Sequence, residues 1–477
     1  MKICIVYPPF WHVDNQPGIE AVQNNYGVFP NLSLAYVAGA LLQAGHSVRF
    51  VDANALNLSK EEVLARVKRY NPDLIAMTVT TYLIHQNLSW IRYLKSHLNI
   101  PVLIGGQHLD LYPFETFKHP EVDYGIIGEA EETIVDFIDA LEKGKDLHKV
   151  DSIIFRDKKG EIVKTGNGRK VKDLDKVSFP ARELLPNDRY FEFISQRRNF
   201  SLMMTSRGCP FQCIYCEQGK TQFRYRSSQN VCDEMEECYT DYKVRELDVF
   251  DPLFTTNKKR VLELCEAIQK RKLDIEFAIR SRVDTLDREM LVELKKAGCS
   301  RIYFGIESGN QDILMRLKKN VTIEQIKKTV TATNEVGIKS LGYFMIGNPG
   351  ETVESIKQTI ALARSLPLHY AQFSKVTPLP GTEMYDTLMV PEMGGVDYWK
   401  KYVEDEKNAR LIGRPDCAIS EEEIQKWVKK AYVNFYFRPS YIAKAVKRVR
   451  SLDEFKRGAS AALDMLKFKP NSEMVSD

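Results

Sequence analysis

The chain has 477 residues, of which 44% are hydrophobic and 28% charged, and its formal net charge at pH 7 is +4. This composition is typical of a soluble globular protein with two or three domains. The near balance of charge disfavours nucleic acid as a partner, and no apolar run is long enough to span a membrane. Met1 and Lys2 lead directly into an apolar run instead of a signal peptide. The nine cysteines, three of them close together, favour reduced thiols and the cytoplasm over disulfides.

Residues 1–145 alternate between short apolar runs and helical patterns, which predict five buried strands and four helices. The strands are predicted at residues 2–7, 47–51, 74–78, 102–104 and 124–127, and the helices at 32–43, 60–70, 84–97 and 131–141. This alternation favours a doubly wound, Rossmann-like parallel sheet. In such a sheet the ligand binds beyond the carboxyl ends of the strands. No G-x-G-x-x-G follows the first strand, which disfavours a dinucleotide.

Residues 146–198 are predicted to connect two domains. Apolar runs on either side of Asp157 to Gly160 predict a β-hairpin with a polar turn. The following stretch contains Pro180 and Pro186 and little periodicity, which is typical of a crossing segment.

Three cysteines, Cys209, Cys213 and Cys216, follow in a C-x3-C-x2-C run. Three thiolates on one loop can bind three irons of a cubane cluster and leave the fourth iron open to another ligand. The alternatives are a structural zinc site, which requires a fourth Cys or His nearby, and disulfides, which require an oxidising compartment. The missing local fourth ligand favours the cluster.

This loop, with Tyr215 directly before its last cysteine, resembles the cysteine motif of the radical S-adenosylmethionine (SAM) superfamily. In that family the amino acid part of SAM chelates the open iron. The resemblance implies that Cys209, Cys213 and Cys216 are catalytic and metal-binding residues that hold a 4Fe-4S cluster, and that Tyr215 contacts the cofactor. It also implies SAM as a second cofactor and an external electron donor such as ferredoxin or flavodoxin.

Residues 199–395 continue as strand and helix pairs. Strands are predicted at 201–205, 247–250, 275–279, 301–304, 339–345 and 372–376, and helices at 228–241, 258–270, 288–297, 323–336 and 352–365. Six such units fit the partial (β/α)6 TIM barrel of the radical SAM family, whose site lies at the carboxyl rim. Asp251 lies in a turn that resembles the family's paired-aspartate turn, but Pro252 stands in place of the second acid.

The rim after the third strand carries two arginines, Arg280 and Arg282. An arginine there, with Arg282 the predicted residue, can pair with the SAM carboxylate through two hydrogen bonds. A salt bridge from these arginines to a neighbouring carboxylate, Asp284 or Asp287, is the alternative.

The turn from Gly305 to Gly309 follows the fourth strand and resembles the family's SAM-contacting turn. The resemblance implies that Glu307 and Ser308 contact SAM, with Glu307 accepting hydrogen bonds from its ammonium or ribose hydroxyl groups. An ion pair of Glu307 with Lys318 or Lys319 is the alternative.

The first domain, with a threonine after its third strand and two glycines after its fourth, resembles the cobalamin-binding domain fused to one branch of the radical SAM enzymes. The resemblance implies cobalamin as a third cofactor, bound at the strand ends by Tyr7, Pro8, Pro9, Thr78, Gly105, Gly106 and Glu129. The D-x-H-x-x-G motif of other cobalamin proteins is missing. His12 and His108 lie on strand-end loops, where a histidine is more often a hydrogen-bonding residue than a metal ligand.

Residues 396–477 are predicted to form a helical C-terminal domain. Aromatic residues recur in its helical patterns and are expected mainly in its core. They are Trp399, Tyr402, Trp427, Tyr432, Phe435, Tyr436 and Phe437.

The family resemblance implies a C-methyltransferase. In this hypothesis a 5'-deoxyadenosyl radical abstracts hydrogen from an unactivated carbon, and methylcobalamin donates the methyl group. One alternative is an oxidation or cyclisation in which cobalamin tunes the radical without methyl transfer. Another is a regulator that binds cobalamin or SAM without turnover, which the intact cysteine triad disfavours. The substrate class stays open between a peptide side chain, a lipid and a natural-product intermediate.

Overall fold

The computed structural model describes residues 1–9, 27–392, 394–405 and 417–448, which divide into two compact units. Of the described residues, the first unit contains 1–9, 28–190 and 396–405, and the second contains the remainder. None of the helices in these described ranges is long and apolar enough to cross a membrane.

The first unit is built on a seven-stranded sheet. Its strands are β1 (Lys2–Tyr7), β2 (Ser47–Asp52), β3 (Leu74–Thr78), β4 (Val102–Gly105), β5 (Tyr124–Ile126), β6 (Ile153–Arg156) and β7 (Ile162–Thr165). The order across the sheet is β2-β1-β3-β4-β5-β6-β7. Strands β1 to β5 run parallel, as predicted, and the order reverses between β1 and β3. This reversal places the carboxyl ends of β1 and β3 side by side, where ligands of such sheets bind.

Helices connect the parallel strands of this unit, and the four longest lie within two residues of the four predicted, whereas three helices of four residues were not predicted. The helices of four residues or more are Leu32–Gln43, Ala53–Leu56, Lys60–Tyr70, Ile84–Lys95, His108–Leu111, Pro113–Thr116 and Ala130–Glu142. Local signals set their ends: Ser59 and Glu62 form a capping box before Lys60–Tyr70, and Asn71 ends that helix in the left-handed conformation.

Two segments join the first unit in a way that the sequence does not indicate. The predicted hairpin, β6 and β7, does form, but it extends the first sheet, because β6 pairs antiparallel with β5. Residues 396–405, with the helix Tyr398–Glu404, also belong to this unit although they follow the second sheet in the chain. Both placements depend on long-range contacts that leave no local pattern.

The second unit contains a six-stranded parallel sheet in chain order. Its strands are β8 (Phe200–Met203), β9 (Glu246–Val249), β10 (Glu276–Ser281), β11 (Cys299–Glu307), β12 (Lys339–Ile346) and β13 (Tyr370–Lys375). Because β8 and β13 are the two edges of the sheet, the barrel is open, which confirms the predicted partial barrel. Alternate side chains such as Phe277, Ile302 and Phe344 form the main apolar core.

Helices connect these strands and cover the sheet. They are Ser228–Thr240, Lys258–Arg271, Arg288–Lys296, Gln311–Arg316, Ile323–Glu335 and Val353–Ser365, followed by Glu421–Tyr436 and Pro439–Arg448. The helix Glu421–Tyr436 packs its aromatic side chains on β13: Phe435 is fully buried, and the Tyr436 hydroxyl donates to the Ala371 carbonyl at 2.8 Å. Of the seven aromatic residues predicted to lie mainly in the core, Trp399 and Phe435 are buried. The other five are half-buried, and Trp427, Tyr432 and Tyr436 among them pack against the core of the second unit.

A buried polar network closes the amino-terminal end of the half-barrel. Arg301 on β11 donates to Glu246 on β9 at 2.5 Å and to Glu192 at 2.7 Å, and the Tyr303 hydroxyl donates to Glu192 at 2.7 Å. The second oxygen of Glu246 accepts three hydrogen bonds from the segment that precedes β8. In barrels of this kind the amino-terminal end serves stability, whereas the carboxyl rim carries the chemistry.

Candidate functional site

The cysteine loop is closed by its own backbone. The amide of Thr221 donates to the Cys209 carbonyl at 3.0 Å, and the amide of Cys216 donates to the Cys213 carbonyl at 3.2 Å. All three thiols are half-buried. Burial raises the pKa of the Cys209 and Cys216 thiols above their usual value. The neighbouring cysteine thiols also raise these pKa values, so the three thiols lie near one another, in a setting where a metal would stabilise the thiolate form.

Asp251 fixes the chain at the entrance to this loop. Its buried carboxylate accepts hydrogen bonds from both the amide and the hydroxyl of Thr205 and of Ser206, at 2.5 to 3.0 Å. With four donors, this carboxylate is fully used inside the protein. Asp251 thus orients the backbone that leads into the cysteine run, a function that needs no second acid at Pro252.

Arg282 forms the salt bridge that the sequence left as an alternative. Its guanidinium binds Asp284 in a bidentate geometry, at 2.9 and 2.8 Å. It also lies 3.5 Å from the Cys213 sulfur and stacks on Phe211, with the guanidinium carbon 3.9 Å from the ring centroid. Arg280 is likewise paired in the bidentate geometry, with Asp248. The structure therefore brings Arg282 to the cysteine loop.

Glu307 adopts an unusual backbone conformation. Its φ is +67°, and the Ser308 amide donates to the Ile306 carbonyl at 2.9 Å, which closes a three-residue turn around Glu307. A bulge in the pairing of β11 with β12 lies at the same place. A non-glycine residue held in this conformation is strained, and such strain occurs mainly at functional sites.

The Glu307 carboxylate connects the rim to the cysteine loop. Its Oε1 accepts from the Tyr215 hydroxyl at 3.0 Å and from the Lys319 ammonium at 3.1 Å, so the ion pair with Lys319 is present. Lys318 pairs with Glu383 instead. Within the described part of the chain, Oε2 of Glu307 has no hydrogen-bond partner. Burial and the neighbouring Glu307 raise the pKa of Tyr215 well above its usual value, so the phenol stays a neutral donor.

Ser308 lies beneath this turn. Its side chain is fully buried, its hydroxyl lies 3.2 Å from the Thr359 hydroxyl, and it accepts from the Asn310 amide at 3.2 Å. A Cβ at Gly305 would lie 2.5 Å from Glu307 Oε1 and 2.8 Å from the Lys319 ammonium. A side chain at position 305 would therefore displace the carboxylate and the ammonium from the positions in which they meet.

The strand ends of the first unit provide open space. A Cβ at Gly105 would meet no atom within 4 Å, whereas Gly106 has a φ of +109° and its Cβ would lie 2.6 Å from the Val79 carbonyl oxygen. Thr78 pairs with Gly105 across the sheet and is half-buried. A bare backbone beside empty space is suited to a large, flat ligand.

The other predicted residues of this edge have contacts inside the unit. Tyr7 is buried in the end of β1, and the carbonyl of Pro9 accepts from the Gln86 side chain at 2.7 Å. The Glu129 carboxylate accepts from the Val171 amide at 2.8 Å, so it holds the turn that follows β5.

His108 is a buried hydrogen-bonding residue. Its Nε2 lies 2.7 Å from the Thr116 hydroxyl, and its Nδ1 lies 3.0 Å from the Thr81 hydroxyl. Because the Thr116 hydroxyl donates its proton to the Tyr112 carbonyl, it accepts from His108 Nε2. Burial, with nearby histidines, lowers the pKa of His108 to about 3. The interpretation as a hydrogen-bonding residue is confirmed, and His12 lies outside the described residues.

A second set of contacts in this unit could not be predicted from the sequence. His85 and His119 donate to the Tyr402 and Val403 carbonyls, at 2.5 and 2.8 Å, in the last turn of the helix Tyr398–Glu404. Tyr112 donates to Asp397, the residue that caps the same helix. The histidines thus satisfy carbonyls that the helix end leaves open.

In the described ranges, no three His, Cys, Asp or Glu side chains are grouped closely enough for one metal ion. The thiolates of a cubane cluster bind different irons, so this observation concerns a mononuclear site only. Cys209, Cys213 and Cys216, with no fourth ligand on their loop, fit a cluster with one open iron in the chemistry of their donors.

Two family models match the chain. The model described as "Radical SAM superfamily" matches residues 203–363, and the model described as "B12 binding domain" matches residues 21–138. The first match contains the cysteine loop, and the second contains Thr78, Gly105 and Gly106.

Similar proteins cover nearly the whole chain. "Uncharacterized methyltransferase PH0819" from Pyrococcus horikoshii is 31% identical, over 94% of this chain and 95% of its own length. "Anaerobic magnesium-protoporphyrin IX monomethyl ester cyclase" from Rubrivivax gelatinosus is 28% identical, over 93% of this chain and 78% of its own. The solved structure of the radical SAM methyltransferase TsrM from Kitasatospora setae, with cobalamin and a [4Fe-4S] cluster bound, has a TM-score of 0.72. The two structures align over 98% of this chain and 99% of the TsrM chain at 17% sequence identity, which supports the fold.

Proposed function

This chain belongs to the cobalamin-dependent radical SAM methyltransferases, which use a 4Fe-4S cluster, SAM and cobalamin, and on that basis we propose that it methylates an unactivated carbon atom of its substrate. One observation carries the proposal to these residues. The cysteine loop has three thiols and no fourth, and Tyr215 and Arg282 fasten it to the rim beside a carboxylate oxygen of Glu307 that has no partner within the described part of the chain.

Cys209, Cys213 and Cys216 would hold the cluster, and the rim would hold SAM. When bound, the cluster with SAM supplies a carbon-centred radical that removes a hydrogen atom, and cobalamin supplies the methyl group. Oε1 of Glu307 is held by Tyr215 and Lys319, so Oε2 is free to accept from an ammonium or hydroxyl group of SAM. The buried Ser308 would fix the position of Glu307.

The first unit would hold cobalamin at the carboxyl ends of its parallel strands. The proposed contacts are Tyr7, Pro8, Pro9, Thr78, Gly105, Gly106 and Glu129. Gly105 supports this assignment best, because a large planar ring requires the side-chain-free space beside it. Tyr7 and Glu129 would act by supporting the loops, since one is buried and the other is bonded to Val171.

Anaerobic turnover with methyl-labelled SAM tests the proposal. The reconstituted protein is incubated with candidate substrates, a reductant and labelled SAM, and the products are separated. Methyl transfer predicts S-adenosylhomocysteine and 5'-deoxyadenosine together, with label in the substrate. 5'-Deoxyadenosine without S-adenosylhomocysteine contradicts it.

A cyclisation or oxidation without methyl transfer is the second candidate. The similarity to the protein named as an anaerobic magnesium-protoporphyrin IX monomethyl ester cyclase favours it. The same assay distinguishes the two, because a cyclase converts its substrate with no S-adenosylhomocysteine and no label in the product.

The cluster requires electrons from outside the chain. A radical SAM enzyme needs an electron donor, and we propose a small protein of the ferredoxin or flavodoxin type. The nine cysteines, three of them on one loop, together with an oxygen-sensitive cluster, favour the reducing cytoplasm as the compartment.

A further inference from the structure

Arg282 follows β10 directly, and nearly all of its donors are already used. A guanidinium has five N–H groups. Two of those of Arg282 bind Asp284, and Nη2 donates also to the Lys319 carbonyl at 2.5 Å. The bidentate face that would recognise a SAM carboxylate is thus occupied by Asp284.

The remaining face of Arg282 lies on the cysteine loop. Nη1 is 3.5 Å from the Cys213 sulfur, within hydrogen-bond distance for a sulfur acceptor, and the guanidinium plane stacks on Phe211. The side chain is only 6% exposed, so water screens its charge weakly. Asp284, whose side chain is 18% exposed, holds the guanidinium in this orientation from the other side.

We propose that Arg282 sets the reduction potential of the cluster and that Asp284 opposes it. This inference rests on the proposed function, because it requires a cluster on Cys213. One-electron reduction adds negative charge to the cluster and its thiolates. A hydrogen-bond donor and a positive charge beside a thiolate stabilise the reduced form, so they make the potential less negative. The negative charge of the Asp284 carboxylate destabilises the reduced form, so it makes the potential more negative.

The geometry also explains why arginine stands here instead of lysine. An ammonium would keep the positive charge, but it has no planar fork to bind Asp284 at two points while it stacks on Phe211. Arg282→Lys is therefore expected to retain only part of the effect on the potential.

The test is a redox titration of the full chain, reconstituted with its cluster under anaerobic conditions without SAM. Dithionite is the reductant, and electron paramagnetic resonance follows the reduced cluster. The variants are Arg282→Gln, Arg282→Lys and Asp284→Asn, with iron and sulfide content measured for each. Arg288→Gln is the matched control, because Arg288 is an exposed arginine of the same unit that pairs with Glu335 at 2.8 Å.

The expected midpoint potential is more negative for Arg282→Gln, intermediate for Arg282→Lys, less negative for Asp284→Asn and unchanged for Arg288→Gln. Shifts of opposite sign for Arg282→Gln and Asp284→Asn distinguish tuning of the potential from damage to the cysteine loop, because damage would shift both midpoint potentials in the same direction. Full clusters with no shift, or shifts of the same sign, overturn the inference. If Arg282→Gln assembles no cluster, the midpoint potential of Asp284→Asn alone tests the inference, since this variant retains the arginine. Failure of the unmodified chain to bind any cluster would instead refute the proposed function.

Discussion

Replacement of His108 by glutamine is expected to make the stability of the first unit less dependent on pH. In the folded chain the pKa of His108 is lowered to about 3, first because burial removes water from the ring. An unfolded histidine has its ordinary pKa of about 6.5. Between these two values the unfolded state binds the extra proton, so stability is lost as the pH falls below about 6.5.

The size of the effect follows from the difference in proton binding. At pH 5 the unfolded ring is almost fully protonated, whereas the folded ring is neutral. This pH lies about 1.5 units below the pKa of the unfolded ring, which is about 6.5. At about 1.36 kcal/mol per unit, the unmodified chain loses about 2 kcal/mol relative to pH 7.5 through this residue. His108→Gln removes that loss, although it weakens the bonds to Thr81 and Thr116 at every pH.

Hydrogen exchange measured by mass spectrometry checks this in the cobalamin-free chain. The opening free energy of peptides that span residues 108–119 is compared between the two proteins from pH 5 to pH 7.5. The stability advantage of the unmodified chain is expected to shrink by about 2 kcal/mol at pH 5. An advantage that stays constant over this range would refute the reasoning, because it would mean that His108 is not held neutral.

Four further changes test the site and the fold. Glu307→Gln is expected to weaken SAM binding at least about tenfold, because a charge-assisted hydrogen bond is lost, whereas Glu335→Gln, which removes an exposed partner of Arg288, leaves it unchanged in equilibrium dialysis. Cys213→Ala should abolish 5'-deoxyadenosine and keep cobalamin binding, with the buried Cys232→Ala as control; unchanged 5'-deoxyadenosine would contradict the cluster assignment. Glu246→Gln should cost the second unit about 3 kcal/mol in urea unfolding, since Arg301 loses a buried partner, and a loss no larger than that of the exposed Arg288→Gln would contradict it. Tyr112→Phe should loosen the helix Tyr398–Glu404 by about 1 kcal/mol in hydrogen exchange, as its bond to Asp397 is removed; unchanged exchange of that helix would exclude this anchoring role.

The motifs of this protein are readable from sequence because they are local. Strand periodicity located the strands of both sheets, and the spacing of Cys209, Cys213 and Cys216 by itself predicts a loop that binds a cluster. The Gly-Ile-Glu-Ser-Gly turn likewise predicts Glu307 as a site residue, and in the structure its carboxylate and the Lys319 ammonium occupy the space beside Gly305. The family and its three cofactors follow from these short patterns in their order along the chain.

Long-range pairing decided what the sequence left open. By sequence Arg282 could pair with the SAM carboxylate, Asp284 or Asp287. Only the folded rim shows that Asp284 binds its bidentate face while Cys213 and Phe211 contact the rest of the guanidinium. Long-range contacts likewise determine the positions of three other features, which are Lys319, the hairpin of β6 and β7, and the helix Tyr398–Glu404. A periodic pattern of apolar residues predicts a helix or a strand, and a short motif predicts which ligand its residues bind. The partner of a charged side chain depends on the distances between segments that are far apart in the chain, and those distances exist only after folding.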